Sequence, residues 1–136
     1  MQYSVWFNLS SSDLKKSRKF YENIGFEINR ERSGPQMLGL FAGSNRVVIN
    51  LFPEKTFKGY IGDSSVNTSD EVLISLGANS ETEVNELATK VTKAGGVIYA
   101  QPEHTDDWMY GFAFSDPDGH KWNILYMDMN KMPNGV

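Results

Sequence analysis

A chain of 136 residues, 40% of them apolar, is long enough for one domain of ordinary size with its own core. The absence of cysteine excludes disulfides, thiolate metal sites and cysteine nucleophiles, and a net charge of −4 argues against a nucleic-acid partner, which would want a basic face. No apolar run approaches the length of a membrane span, so no membrane partner is expected.

The start, Met1-Gln2-Tyr3-Ser4-Val5, lacks a basic segment followed by an apolar one, so the expected compartment is the cytoplasm. Residues 2–9 alternate, with Val5, Phe7 and Leu9 on one face and Ser4, Trp6 and Asn8 on the other. That pattern predicts a strand with an apolar side and a mixed side. Ser10 to Asp13 offer helix caps, and Leu14, Ser17, Phe20, Tyr21 and Ile24 follow at helical spacing up to Gly25, a terminating glycine. Lys15, Lys16, Arg18 and Lys19 read as the solvated face of this helix. Phe26 to Arg30, Gln36 to Phe41 and Arg46 to Phe52 read as three more strands, with turns at Ser33-Gly34-Pro35 and Ala42-Gly43-Ser44-Asn45.

The order then repeats. Residues 53–70 are rich in Gly, Ser, Asp and Asn and read as a crossover connection within one domain. Glu71 to Gly77 is a predicted strand, and Ser80-Glu81-Thr82-Glu83 is a capping box. A helix with the apolar stripe Val84, Leu87, Ala88 and Val91 ends at Gly95-Gly96. Val97 to Ala100, Met109 to Ser115 and Lys121 to Met127 are predicted strands, the last two joined by a tight turn at Asp116-Pro117-Asp118-Gly119. A β-α-β-β-β pattern therefore occurs twice, as a first module over about 1–52 and a second over about 71–128. Each half is too small to bury both faces of its own sheet, so one domain of residues 1–136 is expected.

Two stretches carry a resemblance. Asp116-Pro117-Asp118-Gly119-His120-Lys121-Trp122-Asn123 resembles the last hairpin of the glyoxalase, bleomycin-resistance and extradiol-dioxygenase superfamily, the vicinal oxygen chelate proteins. There the pattern is D-P-D-G-N/H-x-hydrophobic-E, and the closing Glu binds a metal. Phe7-Asn8-Leu9 through Asp13-Leu14, Ser17, Phe20-Tyr21 and Gly25-Phe26 is similar to the N-terminal signature of the same superfamily. The resemblance implies an α+β fold of tandem βαβββ modules, forming a curved mixed sheet around a central cleft with the helices outside. It also implies a small-molecule ligand and a homodimer, since the inward face would still carry Trp6, Val48, Leu73, Leu125 and Met127.

The four metal-ligand positions that the resemblance implies fall on Trp6, on or beside Asn50, on Leu73 and on Asn123. Indole has no lone pair for a cation, Leu offers nothing, and two neutral amides do not hold a transition metal tightly. Glu71, two residues from Leu73 on the same predicted face, adds one carboxylate. His104 and His120 flank the predicted strand Met109 to Ser115, which spans about 20 Å at roughly 3.3 Å per residue, so they do not share an ion. No cofactor is expected. The expected ligand-binding set is Trp6 as a stacking wall, Asn8, Asn50 and Asn123 as neutral hydrogen-bonding groups, Glu71, Leu73 and Ser75 on the second module's first strand, His104 in a loop over the cleft mouth, and Tyr110 as an aromatic floor or donor. Trp122, Ile124 and Tyr126 have the opposite parity to Asn123 and are assigned to helix packing. Three function classes remain open: a glyoxalase-like binding protein with a degenerate metal site, a metal-dependent lactoylglutathione-lyase-type isomerase or ring-cleaving dioxygenase, and an antibiotic-sequestering resistance protein without turnover.

Overall fold

The computed structural model describes residues 4–62 and 71–133. They belong to two compact units, module one within residues 1–68 and module two within residues 69–136. Module one runs β1 (Phe7–Ser11), α1 (Leu14–Asn23), β2 (Glu27–Ile28), a 3-10 turn (Arg30–Arg32), β3 (Leu38–Ala42), β4 (Val47–Pro53) and α2 (Glu54–Tyr60). Module two runs β5 (Leu73–Ala78), α3 (Glu81–Lys93), β6 (Val97–Thr105), β7 (Met109–Ser115) and β8 (Lys121–Met127). The sheets have strand orders β1-β4-β3-β2 and β5-β8-β7-β6. In each, the first strand pairs parallel to the last and the other pairs are antiparallel. The architecture is the α+β, tandem βαβββ arrangement expected from the sequence.

The two long helices begin and end by the same local chemistry. The Asp13 carboxylate accepts the Lys16 N–H at 3.1 Å, and the Ser80 hydroxyl accepts the Glu83 N–H at 3.1 Å. At the other end, Phe26 N–H donates to Tyr21 O and Gly25 N–H to Glu22 O. Gly96 N–H donates to Val91 O and Gly95 N–H to Thr92 O in the same way. Both are Schellman motifs, and they require Gly25 and Gly95 to take φ of 97° and 88°. The apolar stripe of α1 buries Phe20, Tyr21 and Ile24 on the sheet face that carries Leu40, Ile49 and Leu51. That of α3 buries Val84, Ala88 and Val91 on the face that carries Phe112, Phe114, Trp122 and Ile124. Because strand side chains alternate, the opposite face of each sheet is left to the intervening residues.

Four expectations change. The strand expected over 2–9 is β1, Phe7–Ser11; residues 4–6 lie outside it and residues 2–3 lie outside the described part. The strand expected from Phe26 to Arg30 is only two residues long, because the chain turns at Arg30–Arg32 and Ser33 takes up the backbone groups there. Part of the expected crossover is helix α2, which lies against β1 and β4, while residues 63–70 of it lie outside the described part. The strand expected to stop at Ala100 continues to Thr105 as β6. Register shifts between Ile98 and Ala100 and between Ala100 and Glu103 accommodate Pro102, which cannot donate to a ladder.

Gly111, in β7 opposite Leu125, allows the close approach of β8: a Cβ there would run into the Ile124 carbonyl oxygen and come within 2.6 Å of Leu125 Cδ2. Gly111→Ala is expected to lower stability by about 3 kcal/mol, read from the urea midpoint. Gly77→Ala, where nothing lies within 4 Å of the new Cβ, is expected to raise it by about 0.5 kcal/mol.

Candidate functional site

The open face of module one is built around one strand pair. In the parallel register between β1 and β4, Asn8 lies beside Asn50; in the antiparallel register between β3 and β4, Gly39 lies opposite Asn50. The flanking residues Ile49 and Leu51 point the other way, into the core. Asn50 is 7% exposed, and its Oδ1 has no hydrogen-bond partner among the described residues. A buried acceptor left unpaired costs about 1–3 kcal/mol, so such a group is uncommon in a native core.

Gly39 explains how that oxygen comes to be buried. A Cβ on Gly39 would stand 3.0 Å from Asn29 Cβ, 3.4 Å from Arg32 Cβ and 3.5 Å from Asn50 Oδ1. Without a side chain there, the turn after β2 folds close over the sheet. Ser33 fastens it: its hydroxyl donates to Asn29 O at 2.7 Å and accepts the Gly39 N–H at 2.9 Å. Asn29 N–H donates to Gly39 O at 2.8 Å. The stems of Asn29 and Arg32 are thereby held over the sheet beside Asn50. On another side, α2 brings Tyr60 edge-on to Phe52, with ring centroids 5.2 Å apart. These elements border an open-sided cavity of about 680 Å³ whose lining includes Trp6, Asn8, Asn50 and Arg32. Among the described residues the lining has no Asp, Glu, His or Cys, and Arg32 is its one charged residue.

Module two repeats this geometry with different contents. Ser75 lies beside Asn123 in the β5–β8 register, as Asn8 lies beside Asn50. Ser75 also stands five residues before the N-cap of its helix, as Asn8 does. Here the pair is joined, since the Ser75 hydroxyl donates to Asn123 Oδ1. Leu73 shares their face and is about half exposed; Glu71 precedes β5.

Sequence reasoning placed His104 in a loop and Tyr110 with the open-face residues, and the structure corrects both. His104 is in β6, opposite Tyr110 in β7, with the two ring centroids 4.8 Å apart. Tyr110 shares the parity of buried Phe112 and Phe114, and its hydroxyl donates to Asn85 Oδ1 on α3 at 2.7 Å. His104 Nε2 lies 3.4 Å from a carboxylate oxygen of Glu81, also on α3. Both therefore face the helix, on the side away from Ser75 and Asn123. The register also puts Trp122 and Ile124 in the core, as parity implied. His120 lies in the turn before β8, where Asp116 Oδ1 accepts the N–H groups of Asp118 and His120 at 3.0 and 2.8 Å. Ligand atoms of Asp116, Asp118 and His120 lie within 4.8 Å of one another, but the Asp116 carboxylate is already the turn's own acceptor.

Asn29, Arg32 and Tyr60 are cavity residues that sequence reasoning missed. Arg32 fell between two predicted strands, and Tyr60 in a segment read as connection. The available signal for Tyr60 was Phe57 and Tyr60 at helical spacing after Pro53; Gly59 obscured it. The four positions expected to hold metal ligands carry an indole, two amides and an isobutyl group, a donor set that does not fit a transition metal.

A family model for the Glyoxalase/Bleomycin resistance protein/Dioxygenase superfamily matches residues 4–124. Among solved structures, a hypothetical protein from S. aureus is 39% identical over 93% of this chain and 94% of its own, with a TM-score of 0.81. A glyoxalase-related enzyme from Fulvimarina pelagi is 23% identical over 92% and 88%, with a TM-score of 0.77. A glyoxalase/bleomycin resistance protein/dioxygenase family enzyme from Burkholderia phytofirmans is 17% identical over 93% and 100%, with a TM-score of 0.80. A comparison with curated proteins gives no match.

The unpaired oxygen makes a stability test. Asn50→Leu removes a buried acceptor while keeping the same number of side-chain heavy atoms, and it is expected to raise stability by about 1 kcal/mol, measured by chemical denaturation.

Proposed function

The chain belongs to the Glyoxalase/Bleomycin resistance protein/Dioxygenase superfamily, and we propose that within it the protein binds a small molecule in the module-one cavity without a metal. The observation that carries this reading is Asn50 Oδ1, buried and unpaired among the described residues, on a residue that lines a cavity of about 680 Å³. That size suits a small organic ligand. A ligand that donates a hydrogen bond to this oxygen recovers the free energy lost by burying it. Trp6, 55% exposed at the cavity wall, supplies a flat apolar surface for the ligand's body, and Asn8 supplies a second neutral hydrogen-bonding group.

The cavity's chemistry favours holding over turnover. General acid–base catalysis needs a group that exchanges a proton near neutral pH, and among the described residues the lining has no carboxylate, imidazole or thiol. On the open face of module two, Leu73, Ser75 and Asn123 are the corresponding residues, and Ser75 has Asn123 as its bonded neighbour in place of a base. Resident-metal chemistry lacks its ligands at the four family positions. The same reading includes a cytoplasmic homodimer: Trp6, Leu73 and Met127 expose much of their apolar surface, which a second copy would cover.

Native mass spectrometry of protein purified without chelators, at micromolar concentration, tests both statements. The expected species is two chains of 15.3 kDa with no metal mass. One equivalent of zinc, nickel, iron or manganese per chain would sink the metal-free reading, and a clean monomer would sink the dimer. The cavity itself is tested with Nile red, a neutral planar dye. One equivalent per chain is expected to bind with enhanced emission. Trp6→Ala should weaken binding by about 2 kcal/mol, the loss of an aromatic anchor, with Trp6→Phe close to the parent protein. Unchanged affinity in Trp6→Ala would place Trp6 outside the site.

A further inference from the structure

The cavity contains more information about its ligand than size and apolarity. Its acceptor and the root of its charged side chain lie close together: Arg32 Cβ and Asn50 Oδ1 are 3.4 and 3.5 Å from one point above Gly39, and Arg32 lines the cavity. The turn that carries Arg32 is fastened to β3 through the Ser33 hydroxyl, so its backbone is set before any ligand arrives. Among the described residues Arg32 has no ion-pair partner, and the lining offers it no carboxylate. Its guanidinium is therefore the one cationic group that the described lining offers to an anion. Asn50 Oδ1 is nine-tenths buried and can only accept.

We propose, on the strength of the cavity reading above, that the ligand is a planar organic anion that also carries an N–H or O–H donor. The donor meets Asn50 Oδ1, the anionic group meets the Arg32 guanidinium, and the ring lies against Trp6. A carboxylate or phosphate suits the guanidinium fork, which takes two oxygens at once. A donor suits that oxygen because an acceptor group placed against it would face a second lone pair with no proton between them. Discrimination of this kind is strong, since a ligand lacking the donor leaves a buried polar atom unpaired.

Three probes of similar size separate the parts. Indole-3-acetate has ring, N–H donor and carboxylate; 1-naphthaleneacetate keeps ring and carboxylate without the donor; 3-methylindole keeps ring and donor without the carboxylate. Isothermal titration with the full chain is expected to rank indole-3-acetate tightest, with each of the others weaker by about tenfold, the effect of one net hydrogen bond or charge-assisted contact. Arg32→Met keeps the exposed stem and should erase the preference for indole-3-acetate over 3-methylindole while leaving its preference over 1-naphthaleneacetate. Asn50→Leu should do the reverse. Tyr110→Phe, on the helix-covered face of module two, should change neither preference. Thermal unfolding of each variant establishes that it is folded, and the exposed Arg32 arm stands even if Asn50→Leu does not fold.

Equal affinities for the three probes, each lost in Trp6→Ala, would overturn the ligand class and leave the cavity reading intact. Preferences that survive Arg32→Met unchanged would overturn the assignment of the anion to Arg32. If none of the probes binds below millimolar concentration, the ligand class is overturned, and the Nile red titration decides separately whether the cavity reading falls with it.

Discussion

The register between the first and last strand of each module controls everything else in the structure. Side chains on a strand alternate with period two, so the pairing of Phe7 with Ile49 and of Asn8 with Asn50 sorts the residues of β4 onto two faces. Ile49 and Leu51 enter the core under α1, and Asn50 faces the cavity. A slip of β4 by one residue would bury the amide in the core and expose two aliphatic side chains. The cost of that slip, several buried apolar side chains at once, pins Asn50 in its place.

From that anchor the cavity follows by local chemistry. Gly39 stands opposite Asn50 and leaves room above the sheet; Ser33 uses one hydroxyl to satisfy both Asn29 O and Gly39 N–H. A β-ladder would have used those backbone groups to extend β2, and the serine competes with it. The shortened strand and the placement of Arg32 are thus one event. The same crowding that positions Arg32 also shuts water away from Asn50 Oδ1, so the site holds an acceptor that a stability-driven sequence would remove. Binding sites commonly retain such a cost, because an acceptor already paired within the protein has less to offer a ligand.

The two modules show how little separates a closed site from an open one. Their helices share caps and Schellman endings, and their sheets share strand order and register. One difference on the open face is a single small side chain. Ser75 has a hydroxyl that donates to Asn123, and that module's amide oxygen is satisfied internally. Asn8 makes no such bond to Asn50, and the oxygen beside it is unpaired among the described residues. The superfamily scaffold supports many chemistries by this kind of substitution, so membership says little about reaction, and the contents of each face say more.

The repeat, the helix ends and the face assignment of Asn8, Asn50, Ser75 and Asn123 were all present in the linear pattern. They rest on short-range rules, a cap, a glycine at positive φ and a period of two, which act within a few residues and survive in one dimension. The mismatch of Trp6, Asn50, Leu73 and Asn123 with a metal site was equally legible, since it concerns residue types alone. Arg32, Asn29 and Tyr60 were not, because their place depends on what the chain does elsewhere. Arg32 reaches the cavity because Gly39, seven residues on, lacks a side chain. Tyr60 reaches it because α2 lies against β1 and β4. His104 and Tyr110 went to the helix-covered face because bulges around Pro102 altered the count along β6, and because Tyr110 shares the parity of the core residues of β7. Local propensity determined the elements and their faces; long-range packing decided which polar groups meet across them, since that depends on distances no sequence pattern carries.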